Sequence, residues 1–174
     1  MSPAIRAATP ADVPLILDFI RRLADYEKLS SEVTATEEQL RATLFAASPA
    51  AHCVLAFSPA AQPPEEPGVA GEAKPGLLPA GFAIYFFNYS TFLARPGLYL
   101  EDLFVRPEFR GRGYGKALLL HLAQLAHARG CGRMEWTVLD WNQPAIDFYE
   151  SLGARRMKEW QICRLTGAAL ARYE

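Results

Sequence analysis

Glycines and basic residues alternate in the segment Arg110–Lys116, RGRGYGK, which the pattern places between a strand and a helix. Residues without Cβ let consecutive backbone N–H groups turn toward one anion, and the dipole of the following helix adds positive potential. Six basic residues against one acid, Glu108, lie from 106 to 133 in a chain of formal net charge −1. We therefore predict that this glycine loop binds a polyphosphate; the alternative is a flexible turn with a solvated basic face.

The spacing of the glycine loop disfavours two common phosphate-binding motifs. A P-loop has four residues between its glycines, whereas three separate Gly111 from Gly115, and Ala117 stands where the magnesium-binding hydroxyl belongs. The dinucleotide motif G-x-G-x-x-G follows the first strand of a parallel unit, whereas this loop lies past mid-chain. A nucleoside triphosphatase and an NAD-dependent enzyme are therefore both disfavoured.

Capping patterns predict the helices that flank this loop. The segments Thr9–Asp12 and Thr36–Gln39 each place a capping side chain before apolar residues at helical spacing. The glycine loop should open a third helix, with Gly130 placed to end it. A fourth helix is expected from Asn142, a suitable cap, through Leu152.

Short apolar runs between these helices predict strands. They are HCVLAF, GFAIYFF, LYLEDLFV (98–105) and MEWTVLDW, and the tail from Arg155 to Leu165 has room for a final hairpin. The predicted order is β, α, α, β, β, β, α, β, α, β, β. We therefore expect an α/β (α+β) fold in which about four helices flank a mixed, mostly antiparallel sheet of about seven strands.

The segment 58–80 is rich in proline and holds nearly half of the chain's 13 prolines. Proline fixes φ and removes backbone donors, so this segment reads as a long hairpin loop at the surface. Because strand-like runs lie on both sides of it, we expect one domain over residues 1–174.

Composition limits the partners. Eighteen Lys and Arg residues against 19 Asp and Glu leave no overall positive field for nucleic acid or an anionic membrane. No window approaches the ~20 apolar residues of a membrane span. The cysteines (Cys53, Cys131 and Cys163) and the three histidines lack metal-ligand spacing. We expect a cytoplasmic protein with no bound metal.

The glycine loop also fits the coenzyme A motif [QR]-x-x-G-x-[GA] at Arg110 to Gly115, and here the chain resembles the GNAT superfamily of acetyltransferases. Nearly the whole chain resembles its diamine (spermidine/spermine) acetyltransferase branch. The similar segments are ADYEKLSSEV, HCVLA, YFFNYST, YLEDLFV, FRGRGYG and VLDWNQPAIDFYESLGA, and EKLS, YST and VLDWNQ resemble the thialysine acetyltransferases most. The resemblance is absent from the proline-rich loop.

This resemblance implies the GNAT fold and acetyl-CoA as the cofactor. Its pantetheine arm should pair with the backbone of Leu103, Phe104 and Val105, and its pyrophosphate with Arg110, Gly111, Arg112, Gly113, Tyr114, Gly115 and Lys116. Further cofactor contacts are implied at Asn142, Gln143, Pro144 and Ala145, although Asn142 by itself reads as a helix cap. Tyr149 is implied as the proton donor to the coenzyme A thiolate, whose pKa should resemble a thiol's ~8.5.

Acetylation of an amine needs the amine to lose a proton, and an alkylammonium has a pKa of ~10.4. Glu101, in the middle of LYLEDLFV, is the candidate base and would also attract a cation; the alternative is an exposed strand carboxylate. Strand alternation puts Asp102 on the opposite face, so the two acids share a pocket only with a bulge.

The resemblance implies acceptor contacts at Tyr26, Glu27, Glu101, Glu135, Trp136, Thr137 and Glu159. The expected function is direct acetyl transfer to a primary amine of a small cationic substrate, with thialysine or a lysine-like amino acid favoured over a diamine or polyamine. Two alternatives are a non-catalytic acyl-CoA-binding regulatory module and a protein N-acetyltransferase. The branch also implies a homodimer.

Overall fold

The computed structural model describes residues 3–59 and 77–173, and the centre of the proline-rich loop lies outside them. Five strands form one sheet in the order β1-β2-β3-β4-β5. They are β1 (Ala4–Ala7), β2 (His52–Pro59), β3 (Leu77–Ser90), β4 (Arg95–Val105) and β5 (Arg133–Trp136). The first four pair antiparallel, and β5 runs parallel to β4.

Five α-helices accompany the sheet: α1 (Val13–Glu27), α2 (Glu37–Leu44), α3 (Tyr114–Ala128), α4 (Gln143–Ser151) and α5 (Ala168–Ala171). Short 3₁₀ turns precede α1 and α3, at Pro10–Asp12 and Pro107–Phe109. The chain divides into two compact units, Met1–Thr137 and Val138–Glu174. The expected single domain over residues 1–174 stays a prediction.

The predicted fold class and the first nine elements of the predicted order are confirmed. The final hairpin is wrong: in the described residues no strand follows Trp136, and Arg155 to Leu165 form turns and irregular chain. The described sheet therefore has five strands and not about seven. Strands β2 and β3 also extend into the segment predicted as a loop, reaching Pro59 and starting at Leu77.

Helix α1 packs on one face of the sheet, referred to below as the α1 face. The Phe19 ring stacks on Phe82 of β3 with centroids 5.4 Å apart and lies 6.0 Å from Phe104 of β4. Cys53 and Ile84 belong to the same buried cluster. Burial of this apolar cluster fixes α1 against β3 and β4. The C-terminal end of α1 is thereby fixed as well. No helix in the described residues is long and apolar enough to span a bilayer.

A buried carboxylate holds the start of this helix. Asp12 is fully buried and accepts two hydrogen bonds from Arg6, at 2.7 and 2.8 Å, and one each from the Thr9 amide and hydroxyl. Burial alone would raise the pKa of Asp12, but these hydrogen bonds outweigh it and lower the pKa. The pair therefore stabilises the fold at neutral pH, and this contribution is lost as the pH falls from about 4 through the lowered pKa.

We predict that Asp12→Asn lowers the free energy of unfolding by about 3 kcal/mol, because it leaves the Arg6 charge without its buried partner. The control is Asp18→Asn, which breaks an exposed i,i+4 pair with Arg22 and should cost less than about 0.5 kcal/mol. Urea unfolding at pH 7 measures both changes. Equal losses in the two variants would contradict this account of Asp12.

Candidate active site

The glycine loop joins β4 to α3 through two residues of left-handed conformation. Gly111 has φ 71° and Gly113 has φ 84°, and a Cβ at either position would meet no atom within 4 Å. Backbone conformation, and not lack of space, therefore requires glycine here. Gly113 precedes the first turn of α3, whose N–H groups have no intrahelical partner and carry the positive end of the helix dipole. Such a turn suits an anion.

Tyr114 anchors this loop in the core. Its ring is buried 5.7 Å from the ring of Phe109, and its hydroxyl donates a hydrogen bond of 2.8 Å to Ser58 Oγ at the end of β2. The side chain is thus engaged inside the protein, and only the backbone of Tyr114 is placed to meet a ligand. Gly115 is half-buried, whereas Arg112 and Lys116 are exposed.

Arg110 connects the loop to α1. Its Nε donates a hydrogen bond of 3.0 Å to the Val105 carbonyl oxygen. Its guanidinium carbon lies 4.6 Å from the ring centroid of Tyr26 and 5.6 Å from that of Phe104. The planar guanidinium of Arg110, which is part of the glycine loop, therefore contacts the end of β4 and the last turn of α1.

Strand β4 has a bulge at Glu101. Asp102 pairs with Ile84 and Leu100 pairs with Tyr85, so that Glu101 has no partner on β3. Pairing with β5 covers Gly97 to Leu100 and ends just before the bulge. In the described residues no strand pairs with Leu103 to Val105 on that side, which leaves a backbone edge available to an extended ligand.

The bulge changes the placement expected for the two neighbouring acids. Glu101 is exposed, while half-buried Asp102 lies opposite Ile84 on the α1 face. Burial, with smaller contributions from the charges of Glu101 and Glu27, raises the pKa of Asp102 to about 6. Burial also raises the pKa of Glu27 at the end of α1. The sequence singled out Glu101 and Glu27 and missed Asp102, because the bulge that turns it was not predicted.

The acceptor contacts expected on β5 do not all face the same side of the sheet. Glu135 pairs with Tyr99 and Trp136 with Leu100, so their side chains point to opposite faces of the sheet, and Thr137 follows the last residue of β5. Tyr26 is partly exposed at the end of α1. In residues 3–59 and 77–173, no group of three or more His, Cys, Asp or Glu side chains could hold a metal ion.

The remaining candidates lie in the unit Val138–Glu174. Asn142 caps α4 by accepting a hydrogen bond of 3.4 Å from the Ala145 amide, and Gln143 and Pro144 form the first turn. Tyr149 is half-buried, with its ring 5.2 Å from that of Phe148. Glu159 is exposed in the irregular chain after α4.

The chain is similar to known acetyltransferases. Residues 23–154 match the model of the Acetyltransferase (GNAT) family. The chain is 42% identical to a thialysine N-epsilon-acetyltransferase of Sus scrofa, covering 97% of this chain and 95% of the relative. It is 40% identical to an L-ornithine N5-acetyltransferase of Arabidopsis thaliana, covering 98% and 87%.

A solved integron cassette protein of V. cholerae has the same fold. Its TM-score is 0.73 at 25% identity, covering 99% of this chain and 98% of that one. With the family match over most of its length and relatives near 40% identity, this chain belongs to the GNAT family of acetyltransferases.

Proposed function

We propose that the protein transfers the acetyl group of acetyl-CoA directly to a primary amine of a small cationic substrate, a lysine-like amino acid such as thialysine. The observation that carries the proposal is the group of acids at the β4 bulge, Asp102 with Glu101 and Glu27, next to the open edge of β4. These acids suit a cationic amine, and the family supplies the reaction. The names of the thialysine and ornithine relatives support an amino-acid substrate.

The chain has groups that fit acetyl-CoA. The left-handed glycines and the α3 N-terminus suit its pyrophosphate, with Arg110, Arg112 and Lys116 nearby in sequence. The open backbone of Leu103, Phe104 and Val105 suits its amide-bearing arm. When bound, acetyl-CoA supplies an activated acetyl thioester. Asn142 to Ala145 are further proposed contacts on the strength of the family resemblance.

Asp102 and Glu27 are the proposed anchors for the ammonium group. Burial raises the pKa of each carboxyl, and no cation of the described residues lowers either pKa. An ammonium placed against them would stabilise both charged forms. Binding an amine should therefore lower the pKa of Asp102 below its value of about 6 in the free protein.

Proton transfer is assigned to two groups. Glu101 at the bulge is exposed and can accept the proton of the acceptor ammonium, directly or through water. The Tyr149 hydroxyl is the proposed proton donor to the departing sulfur, as the resemblance implies. Of the other predicted acceptor contacts, Tyr26 and Glu135 keep that role in the proposal, and Trp136, Thr137 and Glu159 remain predictions of the resemblance.

Assembly and location follow the resemblance. We propose a cytoplasmic homodimer, and the free cysteines Cys53, Cys131 and Cys163 suit a reducing compartment. A regulatory acyl-CoA-binding module would bind acetyl-CoA without acetylating any amine, and a protein N-acetyltransferase would prefer peptides. Acetylation rates across amines and peptides, with sedimentation equilibrium for the dimer, separate these possibilities.

We predict that Tyr149→Phe lowers kcat by about 100-fold while acetyl-CoA affinity stays within about threefold, because only the proton donor is removed. Tyr173→Phe, at an exposed tyrosine, is the matched control and should leave kcat unchanged. Thiol release gives kcat, and calorimetry gives the affinity. An unaltered kcat in Tyr149→Phe would remove the acid role from Tyr149.

We predict that kcat/KM for the amine falls as the pH drops below about 6, because Asp102 becomes protonated and loses its charge, and that it levels off at the value of the uncharged variant. Asp102→Asn should lower kcat/KM at pH 8 by about tenfold or more and should lack this acidic limb. Asp18→Asn should keep the wild-type profile. A limb that persists unchanged in Asp102→Asn would assign it to another group.

We predict that Arg110→Lys weakens acetyl-CoA binding and also raises the amine KM, each by about three- to tenfold, because lysine cannot maintain the planar contact with Tyr26. The guanidinium carbon of Arg112 lies 5.9 Å from the ring centroid of Phe109, in the 3₁₀ turn just before the glycine loop. Arg112→Lys should therefore alter acetyl-CoA affinity alone. Equal effects of the two variants on the amine KM would contradict a link through Arg110.

A further inference from the structure

A second polar cluster lies on the α1 face, formed by Asn88, Arg133 and Glu135. Arg133 and Glu135 form a salt bridge in which Nε lies 2.8 Å from Oε2, with the side chains 41% and 39% exposed. Asn88 Nδ2 lies 3.5 Å from the same carboxylate oxygen. We call these three residues the Asn88 cluster.

One atom of this cluster has a hydrogen-bonding capacity that the described residues do not fill. Asn88 Oδ1 is buried and has no partner among them. Turning the amide over would place its oxygen against the Glu135 carboxylate, so hydrogen bonding fixes its orientation. Gly97 leaves the space for Oδ1, which lies 2.2 Å from where a Cβ of that residue would be. Asn88 Oδ1 therefore packs against the Gly97 backbone, and Asn88 can act on a ligand only by positioning Glu135.

The Asn88 cluster and Asp102 lie along one face of the sheet. Asp102 pairs with Ile84, and alternation along β3 puts Ile84, Phe86 and Asn88 on the same side. Asn88 is four positions after Ile84 on β3, which is a distance of about 13 Å at the usual strand rise. This separation suits one extended substrate that carries polar groups at both ends.

Aromatic side chains lie between the two polar sites. Phe86 and Tyr99 pair across β3 and β4, with ring centroids 5.1 Å apart, and both are half-buried. Tyr99 also pairs with Glu135 of β5. A methylene or thioether chain that runs from Asp102 to the Asn88 cluster would thus pass over an apolar surface.

We propose that the Asn88 cluster binds the α-amino acid head of the acceptor, with Arg133 on its carboxylate and Glu135, which the Asn88 amide nitrogen positions, on its α-ammonium. A zwitterionic head matches a cluster that itself holds one cation and one anion, so binding leaves no charge uncompensated. Diamines have a second ammonium in place of this head and lack any group for Arg133. This inference rests on the proposed acetyl transfer and assigns the selection of amino acids over diamines to Arg133.

Three acceptors that differ by one group test the proposal. Lysine has both head groups, cadaverine lacks the carboxylate, and ε-aminocaproate lacks the α-ammonium. Arg133→Gln should lower kcat/KM for lysine and ε-aminocaproate by about 10- to 100-fold and leave cadaverine within about threefold. Asn88→Ala should lower kcat/KM for lysine and cadaverine and leave ε-aminocaproate within about threefold.

The matched control is Arg129→Gln. The Arg129 guanidinium lies 5.5 Å from the Phe87 ring, and alternation along β3 puts Phe87 on the sheet face opposite Asn88. All three rates should stay unchanged in this variant. Arg133 is partly exposed, so Arg133→Gln keeps the test decisive if Asn88→Ala fails to fold.

An equal change for all three acceptors in Arg133→Gln, or the same pattern in Arg129→Gln, would overturn the inference. Equilibrium dialysis of labelled lysine in the presence of coenzyme A separates this inference from the proposed function. If no amine is acetylated while lysine binding is still lost in Arg133→Gln, the proposed function fails and the head-group site stands. If amines are acetylated with unchanged selectivity, the head-group site alone fails.

Discussion

The β4 bulge at Glu101 is the constraint on which the site depends. A regular strand would place Glu101 and Asp102 on opposite faces and keep both in register with β3. The extra residue puts Asp102 opposite Ile84, on the face that carries α1, and leaves Glu101 exposed. Pairing with β5 ends at Leu100, so the same irregularity coincides with the point where the β4 backbone becomes open. One extra residue thereby puts an acid and an open backbone edge side by side.

The apolar core under α1 places the last turn of that helix next to the bulge. Phe19 packs on Phe82 and Phe104, which are the β3 and β4 residues just beyond the bulge. Because these contacts fix the helix, its last turn brings the charge of Glu27 close enough to raise the pKa of Asp102. Arg110 contacts Tyr26 in that same turn. The glycine loop and the acids at the bulge are therefore held by one apolar core, and each depends on the position of α1.

The sequence predicted those elements whose signals are local. The Thr36–Gln39 capping box, the alternation of glycines before α3 and the apolar runs of β2 to β4 depend on neighbouring residues, and they were predicted correctly. The sequence indicates a bulge only as the condition under which Glu101 and Asp102 could share a pocket. Its presence depends on the pairing of β4 with β3, which no local signal specifies. The expected hairpin from Arg155 to Leu165 had strand-like residues but nothing in the sequence to specify its partner, and the described chain forms turns there. The sequence did not predict Asn88 as a site residue, because a single amide in an apolar strand indicates no particular function.

Asp12 and Asp102 differ in how the cost of burying their charge is compensated. Asp12 is fully buried and has four hydrogen bonds, so its charge is compensated within the fold and its pKa is lowered. Asp102 is less buried, yet burial and neighbouring acids raise its pKa. The first pattern belongs to a group that stabilises the fold by itself. The second belongs to a group whose desolvation cost is offset only when a ligand supplies the missing charge, and Asp102 lies on the side of the sheet where the proposed amine would bind.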